Sequence, residues 1–422
     1  MIITKTLRAF QSRNYRLYFS GQSLSLIGTW MQRTAVYWLI YELTSSAFML
    51  GLTAFAAQFP SFLFSIIGGV VSDRFNRYKV LLLTQIASLV QAIILTVLIM
   101  SGHYTAWQVL FLSVVLGTIN AFDVPARQAL VYDMVDNKEH LPNAIALNSS
   151  MVHLARLIGP ALSGLVLHQW GAAICFLLNG CSFIAVITSL LFMKLPPYKK
   201  PERVTNAITD LKNGFIYLKN TPSISTIMLM LALVSLFSLP YITLLPIYAK
   251  EIFHGKATTF GYLNSIVGVG ALGGAIFLAS LNPGANLKRI LFNNTLLFGA
   301  GLILFSHLDI LSYATPFLII VGFGMMSQTT ISNTLIQTMV TPAMRGRVIS
   351  YYAMAFFGMQ PIGALLIGAL SSHIGAPKTF LIQGIITCMI ALLFGPYLRQ
   401  RALKQTDKMK IGQLEERTVE TS

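Results

Sequence analysis

Long apolar stretches recur along the chain, each ended by a short charged or Gly/Pro break. A helix needs about 20 mostly apolar residues to cross the hydrocarbon core of a bilayer, so each stretch predicts one span. Twelve emerge, at 15–42, 47–72, 79–101, 106–126, 142–169 and 172–195, then 223–249, 259–281, 288–307, 311–338, 345–371 and 376–398. The pattern is interrupted at 196–222, where Pro196, Pro197 and Pro201 stand among basic residues. This divides the chain into a six-span half at 1–195, a linker at 196–222, a second six-span half at 223–398 and a polar tail at 399–422. Within the linker, Ala207, Leu211, Phe215 and Leu218 fall at helical spacing and predict an amphipathic helix on the membrane surface. The polar tail reads as disordered.

The halves echo one another. Gly117 finds Gly322 at an offset of 205 residues, and Leu162-Ser163-Gly164 with Gly171-Ala172 finds Leu366-Ile367-Gly368 with Gly375-Ala376 at 204. Glu42 and Gly51 are echoed by Glu251 and Gly261. A parallel repeat of half the chain length is the mark of a transporter that rocks two bundles about a central site. The predicted fold is an all-α membrane protein of twelve transmembrane helices in two pseudo-symmetric six-helix bundles.

Composition agrees. Of 422 residues 55% are hydrophobic and 10% charged, against about 25% charged in soluble proteins; mean hydropathy is +0.68. An ordinary soluble enzyme is excluded. The net charge of +16 would suggest a nucleic-acid partner in a soluble chain. Here its position decides: basic residues crowd the N-tail, the linker, the C-tail and the loops on the same side, while only Lys250, Lys256 and Lys378 occupy loops on the other. Basic loops resist translocation, so both termini are expected in the cytoplasm, with lipid rather than nucleic acid as the large-scale partner. The N-terminal segment is expected to stay attached, because the apolar run after it is too long and too polar-marked for a cleaved signal. Cys175, Cys181 and Cys388 form no C-x-x-C pair, so no metal site is indicated. H-E-x-x-H, G-x-S-x-G and the phosphate-binding loop are absent. Gly268 to Gly273 matches G-x-G-x-x-G, but inside an apolar span with no preceding strand, which reads as helix packing. No enzyme, no cofactor and no ATP drive within the chain is expected.

The loop between spans two and three runs Gly69-Val70-Val71-Ser72-Asp73-Arg74-Phe75-Asn76-Arg77-Tyr78-Lys79. It resembles G-x-x-x-D-R-x-G-R-R/K, the loop signature of the major facilitator superfamily, and the resemblance extends over nearly the whole chain. Gly69 is expected to allow close helix approach, Asp73 to face a helix N-terminus, and Arg74 and Arg77 to pair with nearby acid. Asn76 stands where the signature has Gly, though Asn also tolerates left-handed backbone, and Tyr78 moves the basic residue on to Lys79. The second-half counterpart near Asn282 to Arg289 lacks the acid.

Four further segments look like the drug-efflux branch of that superfamily, the one that includes the enterobactin exporter. They are Thr29 to Gln32, Gly117 to Gln128, Asn143 to Gly164 and Arg345 to Ser350. Arg156, Gly159, Pro160 and Gly164 resemble the antiporter motif of span five, where Gly and Pro also serve helix packing. The resemblance implies that Asp123 accepts the loop arginines when the pore is closed on the inside. Gly69, Asp73, Arg74, Arg77, Lys79 and Asp123 then form a cytoplasmic latch that stabilises the outward-facing state.

Charge inside a span is costly, so Arg33 and Arg156 call for a partner or a wet cavity. Gln22, Thr29, Arg33 and Tyr37 lie near one face of span one with Trp30 beside it, and Ser149, His153 and Arg156 share a face of span five. Gln58, Tyr241, Gln328, Asn333 and Gln360 extend this candidate cavity to other spans. The neutral members serve equally as interhelical hydrogen-bond partners, and Arg33 could instead snorkel outward.

Function is expected to be secondary active export of a small molecule, a siderophore or drug-like compound, across the cytoplasmic membrane. The resemblance implies proton antiport with alternating access. No carboxylate stands mid-span, so one of Glu42, Asp123 or His153, the ionisable groups near the cavity mouths or lumen, is expected to carry the proton, in a protein expected to be a monomer. The two arginines favour an anionic or catecholate-like cargo. An importer of the same fold and a non-transporting receptor or scaffold are the alternatives.

Overall fold

The computed structural model describes residues 7–195, 207–282 and 284–397. The predicted linker before Ala207, at 196–206, and the tail at 399–422 lie outside the described residues. Six long helices precede the linker: Arg13–Thr44, Ala47–Arg74, Arg77–Met100, Ala106–Met134, Leu141–Trp170 and Ala172–Leu191. Six spans follow it: Pro222–Ile252, Ala257–Ala279, Leu287–Ser306, Leu311–Met339, Pro342–Ile374 and Ala376–Tyr397. They are called spans 1 to 12 below. Eleven are apolar enough to cross a membrane on composition alone. Span 1 is 32 residues long but too polar by that measure, with Gln32 and Arg33 side by side in its most apolar stretch.

Local chemistry accounts for the boundaries. Asn76 caps span 3, its side-chain oxygen accepting from the Tyr78 and Lys79 amides at 3.0 and 3.3 Å. Its φ of −63° is not left-handed, so Asn stands in the loop signature as a helix cap. Asn286 caps span 9 in the same way through the Arg289 amide. Span 4 does not end near Ala126 as predicted; it passes through Pro125 and continues to Met134. Span 7 is broken: regular helix stops at Phe237, a 3-10 turn covers Leu239–Leu244 and a π turn Tyr248–Ile252. Pro240 and Pro246 lack the amide hydrogens that a continuous helix needs there.

One end of the molecule gathers the basic loops. Asn14 Nδ2 donates to the Lys194 carbonyl at 2.8 Å, the Ala9 amide to Asn143 Oδ1 at 2.9 Å, and the Asp136 amide to Ser12 Oγ at 2.9 Å. The linker helix Ala207–Lys219 docks at this end on the second half, where the Tyr351 hydroxyl donates to the Leu211 carbonyl at 3.0 Å. Leu218 is buried and Phe215 exposed, while the side chain of Ala207 lies outside the described set.

The halves meet toward the opposite end. Span 5 crosses span 8 at Gly164 and Gly261, and span 2 crosses span 11 at Gly51 and Gly368. A Cβ on Gly164 would stand 3.0 Å from the Gly261 Cα, and one on Gly51 3.1 Å from the Gly368 Cα. These are the repeated glycines, paired across a pseudo-twofold axis, and only glycine permits backbones this close. Beside them Trp38 stacks on Phe260 with ring centroids 5.9 Å apart, and the Tyr41 hydroxyl donates to Glu251. Ser265 Oγ donates to the Leu157 carbonyl at 3.2 Å about two turns further in. Toward the basic end spans 5 and 8 part, leaving Ser149, Ser150, Leu272 and Ile276 exposed.

Candidate functional site

Span 5 is drawn onto span 1 by Gly159, where any Cβ would run into Trp30 and stand 3.0 Å from the Ile27 carbonyl oxygen. Ser163 Oγ donates to the Met31 carbonyl at 3.0 Å and fixes the same crossing. Arg156, one turn before Gly159, is thereby brought to Trp30: its guanidinium carbon lies 5.5 Å from the indole centroid. Arg33, one turn along span 1, places its own 5.2 Å from the same centroid. All three are half-buried. Trp30 and Arg156 sit within two residues of the midpoints of their helices, each longer than a bilayer span needs.

Neither arginine belongs to an ion pair among the described residues. Arg156 is within electrostatic reach of Arg33, His153 and Tyr241, none of which supplies a carboxylate. Two cations at mid-depth without an acid form a site suited to an anion, since an ionised partner both neutralises and hydrogen-bonds a guanidinium. On either side of Trp30 along span 1, the buried Gln22 Oε1 and Tyr37 hydroxyl have no hydrogen-bond partner among the described residues.

The remaining predicted cavity residues divide. Thr29 bonds back to the Ser25 carbonyl at 2.8 Å, Gln58 to the Ala54 carbonyl at 3.3 Å, and Asn333 Oδ1 accepts from Gln337 at 3.0 Å, each within its own helix. Gln360 is half-buried on span 11. Tyr241 and Gln328 are fully buried and do not face open space. Tyr241 packs edge-on against Phe298 and Phe380, its hydroxyl 3.8 Å from Met325 Sδ. Gln328 is held inside the second half because Gly324, one turn away, lies against Phe298 of span 9.

At the basic end, Asp123 is the buried carboxylate among the described residues. It sits about three turns inside span 4 rather than at its end, since that helix runs to Met134. It accepts from Gln85 Nε2 at 2.6 Å and Thr84 Oγ1 at 3.0 Å, and Arg127 Nε lies 3.3 Å from its other oxygen. Arg77 instead approaches Asp73 at 3.8 Å and Asp133 at 4.0 Å. Arg74 and Lys79 are exposed. The close helix approach belongs to Gly68, which meets the backbone of Ala121; a Cβ on Gly69 would touch nothing within 4 Å. Sequence reading missed Thr84, Gln85, Arg127 and Asp133. Arg127 was findable, being one helical turn from Asp123, had the span been carried past Pro125.

Beside this two-bundle architecture, residues 4–422 match the family described as transmembrane secretion effectors. The chain belongs to that family, within the major facilitator superfamily. As a member it is a multi-pass transporter of the efflux type in the cytoplasmic membrane, not an enzyme, and its substrate is a small molecule. It is 28% identical to the staphyloferrin A transporter of Staphylococcus aureus, over 92% of this chain and 97% of that protein. It is 24% identical to the enterobactin exporter EntS of Citrobacter koseri, over 92% and 93%. Macrolide efflux protein A of Streptococcus pyogenes is 22% identical, over 90% and 96%. Among solved structures the nucleoside transporter NupG superposes with a TM-score of 0.74 at 11% identity, over 92% of this chain and all of that one. A bacterial homologue of the lysosomal transporter Spinster, solved inward-facing, gives 0.70 at 13% identity, over 92% and 97%.

Proposed function

We propose that this protein exports a small anionic molecule of the siderophore class from the cytoplasm, by proton-coupled alternating access. The observation that carries the reading is the pair Arg33 and Arg156, gathered at Trp30 without an acidic partner. The names of two relatives, a staphyloferrin A transporter and an enterobactin exporter, point the same way. With the basic end in the cytoplasm, the glycine crossings seal the outer side and the halves part toward the inner one. That is the state in which cytoplasmic cargo reaches the arginines.

The latch belongs to the opposite state. Here Asp123 is held by Arg127, Thr84 and Gln85, and the loop arginines are engaged elsewhere or exposed. Closing the inner side would bring Arg74 or Arg77 to Asp123 in exchange for Arg127.

The test is whole-cell accumulation of an iron-chelating siderophore and of a cationic dye, with and without the protein, before and after an uncoupler. The reading expects lower siderophore accumulation that rises on uncoupling. Lower dye accumulation with unchanged siderophore would move the cargo to a cationic drug-like class. Export insensitive to the uncoupler would remove proton antiport.

A further inference from the structure

Trp30 is an unusual companion for two unpaired arginines. Its ring receives Arg33 at 5.2 Å and Arg156 at 5.5 Å, both within the distance at which a guanidinium is attracted to an aromatic face. Arg33 reaches the ring from one turn along the same helix, as i,i+3 spacing allows, but helix geometry alone does not bring Arg156 of span 5 to it. The span 1 to span 5 crossing does, through Gly159 and Ser163.

We propose that Trp30 is a place-holder: in the empty, basic-end-open state its π face holds both guanidiniums, and cargo with at least two acidic groups releases them from the ring by taking them as ion pairs. The proposal deepens the reading of the arginine pair as the cargo site and rests on it. Two like charges at mid-depth repel, and each seeks an electron-rich neighbour. A carboxylate in this position would bind them permanently and compete with anionic cargo. An indole attracts each cation more weakly than a carboxylate does and carries no charge of its own, so it steadies the empty site and still yields to an anion. Both guanidinium carbons lie near one centroid, which places them no more than about 10.7 Å apart. Within that limit one molecule with two carboxylate or catecholate groups can reach both guanidiniums.

The place-holder is tested without any cargo, on the purified full chain in detergent. Thermal unfolding is compared for Trp30→Leu, Arg156→Gln and the double variant. The expected result is that Trp30→Leu lowers Tm by about 2 °C more when Arg156 is present than when it is Gln, and that Trp30→Tyr recovers part of the loss. Equal losses in both backgrounds, or no recovery by Tyr, would overturn the proposal. A second measurement keeps the indole: with Trp38, Trp107 and Trp170 replaced by Phe, the emission of Trp30 changes when Arg33 and Arg156 both become Gln. Unchanged emission would also overturn it. Failure of anionic export with intact coupling would instead remove the cargo reading and leave the ring contact standing. Loss of export in the arginine variants without coupling would do the reverse.

Discussion

Arg33 and Arg156, 123 residues apart in the chain, share one indole ring near the middle of their helices and have no carboxylate between them among the described residues. The arrangement commits two charges to a depth where unpaired charge is expensive. Neutralising either with a residue of similar length should therefore leave folding intact and remove a cargo contact. Charge-assisted hydrogen bonds contribute about 1.5–3 kcal/mol each, so Arg33→Gln and Arg156→Gln should each weaken anionic cargo binding roughly 10- to 100-fold. Efflux assayed at cargo concentrations below saturation reads this. Efflux of the anionic cargo at wild-type rates in both variants would remove the arginines from the binding site.

Gly164 and Gly261 lie so close that a side chain cannot be added to either without moving backbone: a Cβ at Gly164 would stand 2.9 Å from the Ala257 carbonyl oxygen. Backbone cannot rotate away as a side chain can, and overpacking of this kind costs about 1–3 kcal/mol. The cost falls only on the state in which this end is closed. Gly164→Leu should thus shift the population toward opening at the end away from the basic loops. A cysteine placed at Phe260, stacked on Trp38 in the closed state, should react about five- to 100-fold faster with an impermeant maleimide in that variant. An unchanged rate would mean that the crossing opens and closes without these glycines.

Much of this was legible beforehand for a definite reason. The repeated residues Gly51, Gly164, Gly261 and Gly368 occupy the pseudo-symmetric crossings between halves, and a symmetric contact leaves a symmetric trace in sequence. Helix positions followed from apolar runs, since the bilayer imposes length. What failed was local or required two helices at once. Pro125 resembled a terminus but lies within a helix that continues to Met134. Gly68 rather than Gly69 faces span 4, a difference of 100° around the helix that a loop motif does not encode. Tyr241 and Gln328 looked like cavity residues because polar groups in apolar spans invite that reading, yet both turn into the second half's own core. The amide chain linking Asn179, Gln32 and Gln91 at 2.8 and 3.1 Å passed unnoticed, because no periodicity relates spans 1, 3 and 6.

The Tyr41 hydroxyl donates to Glu251 across the halves, and the Lys250 ammonium lies 5.5 Å from the Tyr41 ring centroid. Glu251 is exposed, so the bond is partly screened and contributes about 1 kcal/mol to closure. Tyr41→Phe keeps the ring and the cation contact but removes the donor. It should raise the labelling rate of a cysteine at Phe260 by about fivefold, with Glu251→Gln giving a smaller change because the amide oxygen still accepts. Equal and negligible effects would place closure in the glycine crossings alone.

Asp123 and Arg127 give the sharpest test of the latch, because the two variants should act in opposite directions. If Asp123 exchanges Arg127 for a loop arginine as the basic end closes, Asp123→Asn removes the acceptor that the closed state needs. The population then shifts toward the open basic end, and export slows. Arg127→Gln instead removes the competitor that holds Asp123 in the open state, leaving a buried carboxylate still bonded to Thr84 and Gln85 but without its cation. Its best remaining partner is Arg74 or Arg77, so the population shifts toward closure at that end. A hydrogen-bonded charge pair contributes about 1.5–3 kcal/mol, enough to move a balanced equilibrium by roughly 10- to 100-fold. Cysteine accessibility from the two sides of the membrane reads both shifts, with the two variants on either side of the native protein. Shifts of the same sign would mean that Asp123 serves only to anchor Arg127 within span 4, and the exchange would be wrong.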